Sequence, residues 1–154
     1  MTFPINLSRR HLDMWTQRRE GKSLSKIAST LGVTRQAVSQ ALMNVEDKVE
    51  KTLQAAAVAS RIKVDHIDPK QGILHGYSHE MQDKVAVTFS PRNGVQIWHY
   101  YAGRCDSCTL YKECLKLIRE EAEERGITLD EETLKKKPAE IAWKVFNSLR
   151  EEPP

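Results

Sequence analysis

Apolar residues along the chain recur first at helical spacing, then at alternate positions, then at helical spacing again. Leu12, Met14 and Trp15 give a first helix its apolar side, with Ser8 placed to cap it and Gly21 to stop it. Phe3, Pro4 and Ile5 read as an extended lead-in. Ile27, Ala28 and Leu31 mark one face of a short second helix, which Gly32 ends because a residue without Cβ takes the left-handed conformation of a helix C-terminus. Thr34 offers a hydroxyl to cap a third helix with Val38, Ala41 and Leu42 on its buried side. Val45, Val49, Leu53, Ala56 and Ala57 prolong that stripe, and nothing between Ala37 and Ser60 forces a break. The spacing therefore predicts one long rod reaching towards Ile62. Its Ala-rich part, Leu53 to Ser60, allows close approach of a partner, and a second copy of the chain is the preferred one.

After Arg61 the period falls to two. Asp68-Pro69 breaks the helix, and Gly72 and Gly76 punctuate the stretch beyond it. Val85, Val87 and Phe89 alternate with Ala86, Thr88 and Ser90. Val95, Ile97, His99 and Tyr101 alternate on the returning strand, and Asn93-Gly94 is placed to supply the positive φ of a tight hairpin. Residues 64–67 and 73–77 add strands to this small antiparallel sheet. From Thr109 onward Leu110, Leu115, Leu117, Ile118 and Ala122 form a helical face that ends at Gly126. Pro138 starts a last helix with Ile141, Ala142, Val145, Phe146 and Leu149 inward and Trp143 close to that face. Lys135 to Lys137 read as solvated, and Glu151 to Pro154 as a frayed end. The expected class is α+β: three N-terminal helices with a long connecting helix over 1–62, then a β-hairpin or small sheet and C-terminal helices around a cysteine cluster over 63–154.

Residues Ser23 to Met43 (SLSKIASTLGVTRQAVSQALM) carry the spacing of a helix-turn-helix, with small Ala28 where the helices cross and Val33 plugging the turn. The stretch GVTRQAVSQ resembles the turn of prokaryotic regulators. Roughly Leu7 to Leu53 is similar to the Tfx-like regulators and to the LuxR and sigma-region-four group, which implies sequence-specific binding of double-stranded DNA by a transcription regulator. Two such units read a two-fold site better than one, so a homodimer is expected. The outward residues suit that role. Arg35 can pair with guanine, Gln36 and Gln40 with adenine, while Ser23, Thr34 and Ser39 suit phosphates. A plain helical hairpin with a solvated face would more usually carry Glu and Lys.

Charge sharpens this reading. The net charge is +3 over 154 residues, but residues 1–63 carry +6, residues 64–103 carry −1 and the remainder −2. Positive charge gathers where phosphates would lie, and Arg9, Arg10, Arg18 and Arg19 are candidates to touch them. With 40% hydrophobic and 29% charged residues the composition is that of a globular protein. No apolar run approaches the roughly 20 residues that span a bilayer, and residues 1–12 lack the apolar core of a signal peptide. A cytoplasmic protein without a membrane partner is expected.

The three cysteines fall within one short window, Cys105-Asp-Ser-Cys108-Thr-Leu-Tyr-Lys-Glu-Cys114. In a cytoplasmic protein this clustering argues for a metal rather than a disulfide. The C-x2-C-x5-C spacing resembles the triads of WhiB-like regulators and of the iron–sulfur cap of RecB-type nucleases, which implies a [4Fe–4S] cluster. Zinc is the alternative. Those families place a fourth cysteine elsewhere, and this chain has none. Both metals want a fourth ligand; His99 is the nearest candidate, with His75, His79 and Asp106 in reserve. A cluster would make the chain a redox- or iron-responsive regulator, whereas zinc would hold the fold together.

An enzyme is not expected. The radical-SAM triad C-x3-C-x2-C, a P-loop, a GxGxxG run and a GxSxG elbow are all absent, although an Fe–S enzyme remains a minor reading. A small-molecule sensor is another, with Phe89, Trp98, Tyr100 and Tyr101 lining its pocket.

Overall fold

A computed structural model describes residues 5–100 and 105–149. The lead-in at Phe3 and Pro4, the strand position of Tyr101 and the end at Glu151–Pro154 lie outside them, as does the side chain of Asp106. Three helices come first: α1 (Arg9–Arg19), α2 (Leu24–Leu31) and α3 (Arg35–Ala59). Each begins at a hydroxyl cap, with Ser8 Oγ accepting from the His11 amide, Ser23 Oγ from Lys26 and Thr34 Oγ1 from Ala37, at 3.1, 3.1 and 3.0 Å. Gly32 takes φ 66°, and the Val33 amide then donates to the Ala28 carbonyl at 3.0 Å, so only Gly32, Val33 and Thr34 separate α2 from α3. The rod expected beyond Ala37 is one helix of 25 residues.

The strands β1 (Ile62–Asp68), β2 (Ile73–Ser78), β3 (Asp83–Ser90) and β4 (Gly94–His99) form an antiparallel meander in the order β1-β2-β3-β4. A 3-10 turn (Cys105–Ser107), then α4 (Tyr111–Glu124), the short α5 (Glu131–Leu134) and α6 (Pro138–Ser148) complete the described residues. The class is thus α+β, with six helices and a four-stranded antiparallel sheet among the described residues. None of these helices is long and apolar enough to cross a membrane.

Helices cover the sheet on both faces. Val85, Val87 and Phe89 of β3, with Leu74 and Ile62, join Trp15, Val38, Val49, Leu53 and Ala56 in one core. Ile73, Ala86 and Trp98 join Ile118, Ala122, Ile141, Val145 and Phe146 in a second. Trp15 meets Phe89 with ring centroids 5.5 Å apart, and Trp98 meets Phe146 at 5.6 Å, on opposite sides of the sheet. Thr88 and Ser90, which alternate with the apolar residues of β3, are fully buried as well. Both are satisfied locally: Thr88 Oγ1 accepts from the Trp98 indole at 3.0 Å and Ser90 Oγ from the Asn93 amide at 2.9 Å.

Two expectations change. In the β3–β4 hairpin only Gly94 has a positive φ, of 66°; Asn93 does not, because a three-residue loop needs one left-handed residue rather than two. The Ala-rich stripe of α3 is already covered within the chain, where Ala56 and Ala57 bring α3 close to the sheet and are wholly buried with Val49 and Leu53. That side of the stretch is filled by the chain itself, while Ala55, Val58 and Ala59 stay exposed on the other. The core it forms also runs across residue 62, joining α1–α3 to the sheet.

Candidate nucleic-acid interface and cysteine triad

The exposed side of α3 begins where its buried stripe ends. Val38, Ala41 and Leu42 point into the core, which turns Arg35, Gln36 and Gln40 outward and leaves Ser39 half-buried. Ser23 and Thr34 are exposed at the starts of α2 and α3. Their oxygens accept from helix amides, which leaves each O–H to donate. All six residues singled out from the sequence therefore sit at or next to the starts of α2 and α3.

The first turns of α1, α2 and α3 contain no acidic residue. Those of α4, α5 and α6 carry Glu113, Glu131, Glu132 and Glu140. Carboxylates ordinarily favour helix N-termini, where the dipole is positive. The first three helices leave that positive end to another anion, and phosphate groups bind such ends. Arg9, Arg10 and Arg18 are exposed nearby. Arg10 donates to the Leu31 carbonyl at 3.5 Å and Arg18 to Lys22 at 2.9 Å.

Arg19 differs from its neighbours. Its side chain is 3% exposed, so it cannot serve a phosphate as the sequence suggested. It lies 4.4 Å over the Trp15 ring and donates through Nη2 to the Glu124 carbonyl of α4 at 3.2 Å, with the Glu124 carboxylate at 3.7 Å. Burial, and then the charge of Arg125, lower its pKa to about 10. Beside it Arg125 pairs with Glu121, both side chains at 0% exposure, and donates to the carbonyls of Gln71, Gly72 and Phe89 at 3.2, 3.4 and 3.2 Å. Burial raises the Glu121 carboxyl against the opposing pull of Arg125. Sequence reading missed this cluster. The i, i+4 spacing of Glu121 and Arg125 was visible, but such pairs are usually solvated, and only the fold buries this one.

At the other end of α4 the cysteines follow one another around tight turns. The Cys108 amide donates to the Cys105 carbonyl at 3.1 Å, Tyr111 to Cys108 at 3.3 Å, and Cys114 to Leu110 at 2.8 Å. Cys108 is exposed, while Cys105 and Cys114 are half-buried, and all three are free thiols. Burial pushes the Cys114 thiol up, followed by the charges of Cys108, Cys105 and Glu113. Cys114 thus lies within electrostatic reach of the other two sulfurs. In kind, this donor set suits zinc or an iron–sulfur cluster. Among the described residues, however, no three His, Cys, Asp or Glu side chains converge as metal ligands.

His99 sits exposed at the end of β4, opposite Val85 of β3. Partial burial lowers its pKa, while Glu80 and Asp83 raise it. Glu80 lies in the β2–β3 connection and Asp83 begins β3, so neither belongs to the triad. His75 is buried and stacks on His66 with centroids 6.4 Å apart, and His79 packs edge-on against Tyr77 at 5.7 Å. The aromatic residues considered for a small-molecule pocket are separated, with Phe89 in the first core and Trp98 and Tyr100 in or against the second.

No known family, curated protein or solved structure matches this chain.

Proposed function

We propose that the protein is a sequence-specific regulator that binds double-stranded DNA through a helix-turn-helix formed by α2 and α3. In this reading Arg35, Gln36 and Gln40 meet base edges, and Ser23, Thr34 and Ser39 meet phosphates. One observation carries it: three capped helices, none with a carboxylate in its first turn, stand in the part of the chain that holds the positive charge. A solvated helical surface has no reason to leave those positions without acid. Binding to a two-fold site as a homodimer would use a surface other than the Ala-rich stripe of α3.

Cys105, Cys108 and Cys114 are the residues that would hold a [4Fe–4S] cluster, or zinc in the alternative reading. A bound cluster supplies reversible electron transfer, whereas zinc supplies only folding energy. The chain's own part is to present three thiols from two turns and the start of α4, with the Cys114 amide already bonded to Leu110. His99 remains the proposed fourth ligand, and a ligand from a second subunit would serve as well.

Two measurements test these claims. Selection from a random duplex library should enrich one motif; a pool that stays unenriched would remove the DNA reading. Protein purified without oxygen should carry iron and sulfide in the cluster reading and zinc in the alternative. Protein free of both would remove the metal reading and leave the DNA reading standing.

A further inference from the structure

The helices of the proposed DNA surface and the helix that carries Cys114 are joined by a cluster of buried charge. α4 runs from Tyr111 to Glu124, about 21 Å at the usual rise per residue, with Cys114 in its first turn and Glu121 and Glu124 in its last. At that last turn Arg19 reaches from the end of α1 to the Glu124 carbonyl at 3.2 Å. Arg125 caps α4 and binds the carbonyls of Gln71, Gly72 and Phe89, so the same cluster fastens α4 to the β1–β2 turn and to the end of β3. The cluster is incompletely satisfied: Nε and Nη1 of Arg19, Nε of Arg125 and Oε1 of Glu121 have no hydrogen-bond partner among the described residues. Buried charges with unmet hydrogen bonds do not maximise stability, and where they persist a role in fixing or switching geometry is the best-attested reason.

We infer that Arg19 is a positioning residue that ties α1 to the C-terminal end of α4, so that displacement of α4 near its cysteine is felt by α1 and the two helices packed on it. Because Arg19 holds a main-chain carbonyl of α4, any tilt of that helix moves the acceptor itself. Its guanidinium lies over Trp15, which sits in the core shared with Ile27 and Val38 of α2 and α3. The consequence for regulation rests on the DNA reading above, but the mechanical link does not.

Amide hydrogen exchange of the full chain tests the link without DNA or metal. Lys116 is exposed in the first half of α4, and Lys116→Gly weakens the helix there, speeding exchange across α4 about fivefold. With Arg19 intact, exchange over residues 14–22 should also rise at least twofold. In the Arg19→Met background α4 should respond as before while residues 14–22 do not change further. A response at 14–22 that is absent with Arg19 intact, or undiminished in Arg19→Met, overturns the inference. If the Met variant does not fold, Arg19→Lys takes its place. The lysine ammonium lacks the planar fork that holds Arg19 between the Trp15 ring and the Glu124 carbonyl, so the response at 14–22 should fall by about half, and a full response is contradictory. Failure of the DNA reading would appear in the duplex selection and leave these exchange rates untouched.

Discussion

At the scale of single residues, the missing side chain of Gly72 and the carboxyl of Glu46 each leave a measurable mark on stability. Gly72 has φ 68°, and a Cβ there would meet the Phe89 carbonyl oxygen at 2.6 Å and the Trp15 ring at 3.0 Å. Neither neighbour can yield, since Phe89 donates its own amide to the Gly72 carbonyl at 2.8 Å and Trp15 is buried. Gly72→Ala should therefore cost about 2 kcal/mol or more in urea unfolding, from the left-handed backbone and the overlap together. Glu46 offers a pH signature. Burial raises its carboxyl, followed by smaller effects: Lys70 lowers it, Asp68 raises it and Arg18 lowers it. A raised folded-state pKa means that the charged form is the disfavoured one. The penalty is absent below the usual value of 4.5 and grows as pH rises through the folded-state pKa. Glu46→Gln should match the parent's unfolding free energy near pH 4 and exceed it slightly at pH 7; equal stability at both would remove the assignment.

At the scale of elements, α4 joins two chemistries, and its C-terminal end should be the more fragile. Removing one partner of the Glu121–Arg125 pair leaves a buried charge alone, so Glu121→Gln or Arg125→Met should cost about 3–5 kcal/mol. Replacing both together, Glu121→Leu with Arg125→Met, should cost less than either single change, since no charge is stranded. Denaturant unfolding of the three variants measures this, and a double change as costly as the sum of the singles would contradict it. The ends of α4 were differently legible. Gly126 announced its end, and the Leu115, Ile118 and Ala122 spacing its buried face. That Glu121 shares that burial was not legible, because a carboxylate beside three further acids reads as solvent-facing until an arginine is brought under it by the fold. The same limit applies to β3. Alternation identified the strand, but Ala86 and Thr88 are small or bonded enough to be buried, so the second covering layer left no mark in the pattern.

At the scale of the molecule, the periods of the sequence translated well into element order. The long α3 and the β3–β4 hairpin came from runs whose spacing has one interpretation. What did not come from spacing is which surfaces meet. The Ala-rich stripe of α3 suits another helix or a sheet equally, and here the sheet fills it. Arg19 sits among exposed arginines and differs from them only through α4, about a hundred positions away in sequence. The outward placing of Arg35, Gln36 and Gln40 was legible because the buried stripe of α3 fixes its exposed side. The cysteine triad was legible as a cluster of thiols, while whether a histidine comes near it depends on tertiary placement that sequence does not encode locally.

The central claim is that the outward face of α3 reads DNA. The most direct test is titration of a selected duplex and a scrambled one with the parent and with Arg35→Ala and Gln40→Ala. A good bidentate base contact is worth about 1–3 kcal/mol, so each change should weaken specific binding roughly 5- to 150-fold while altering the scrambled duplex far less. Specific affinity unchanged in both variants would contradict the claim.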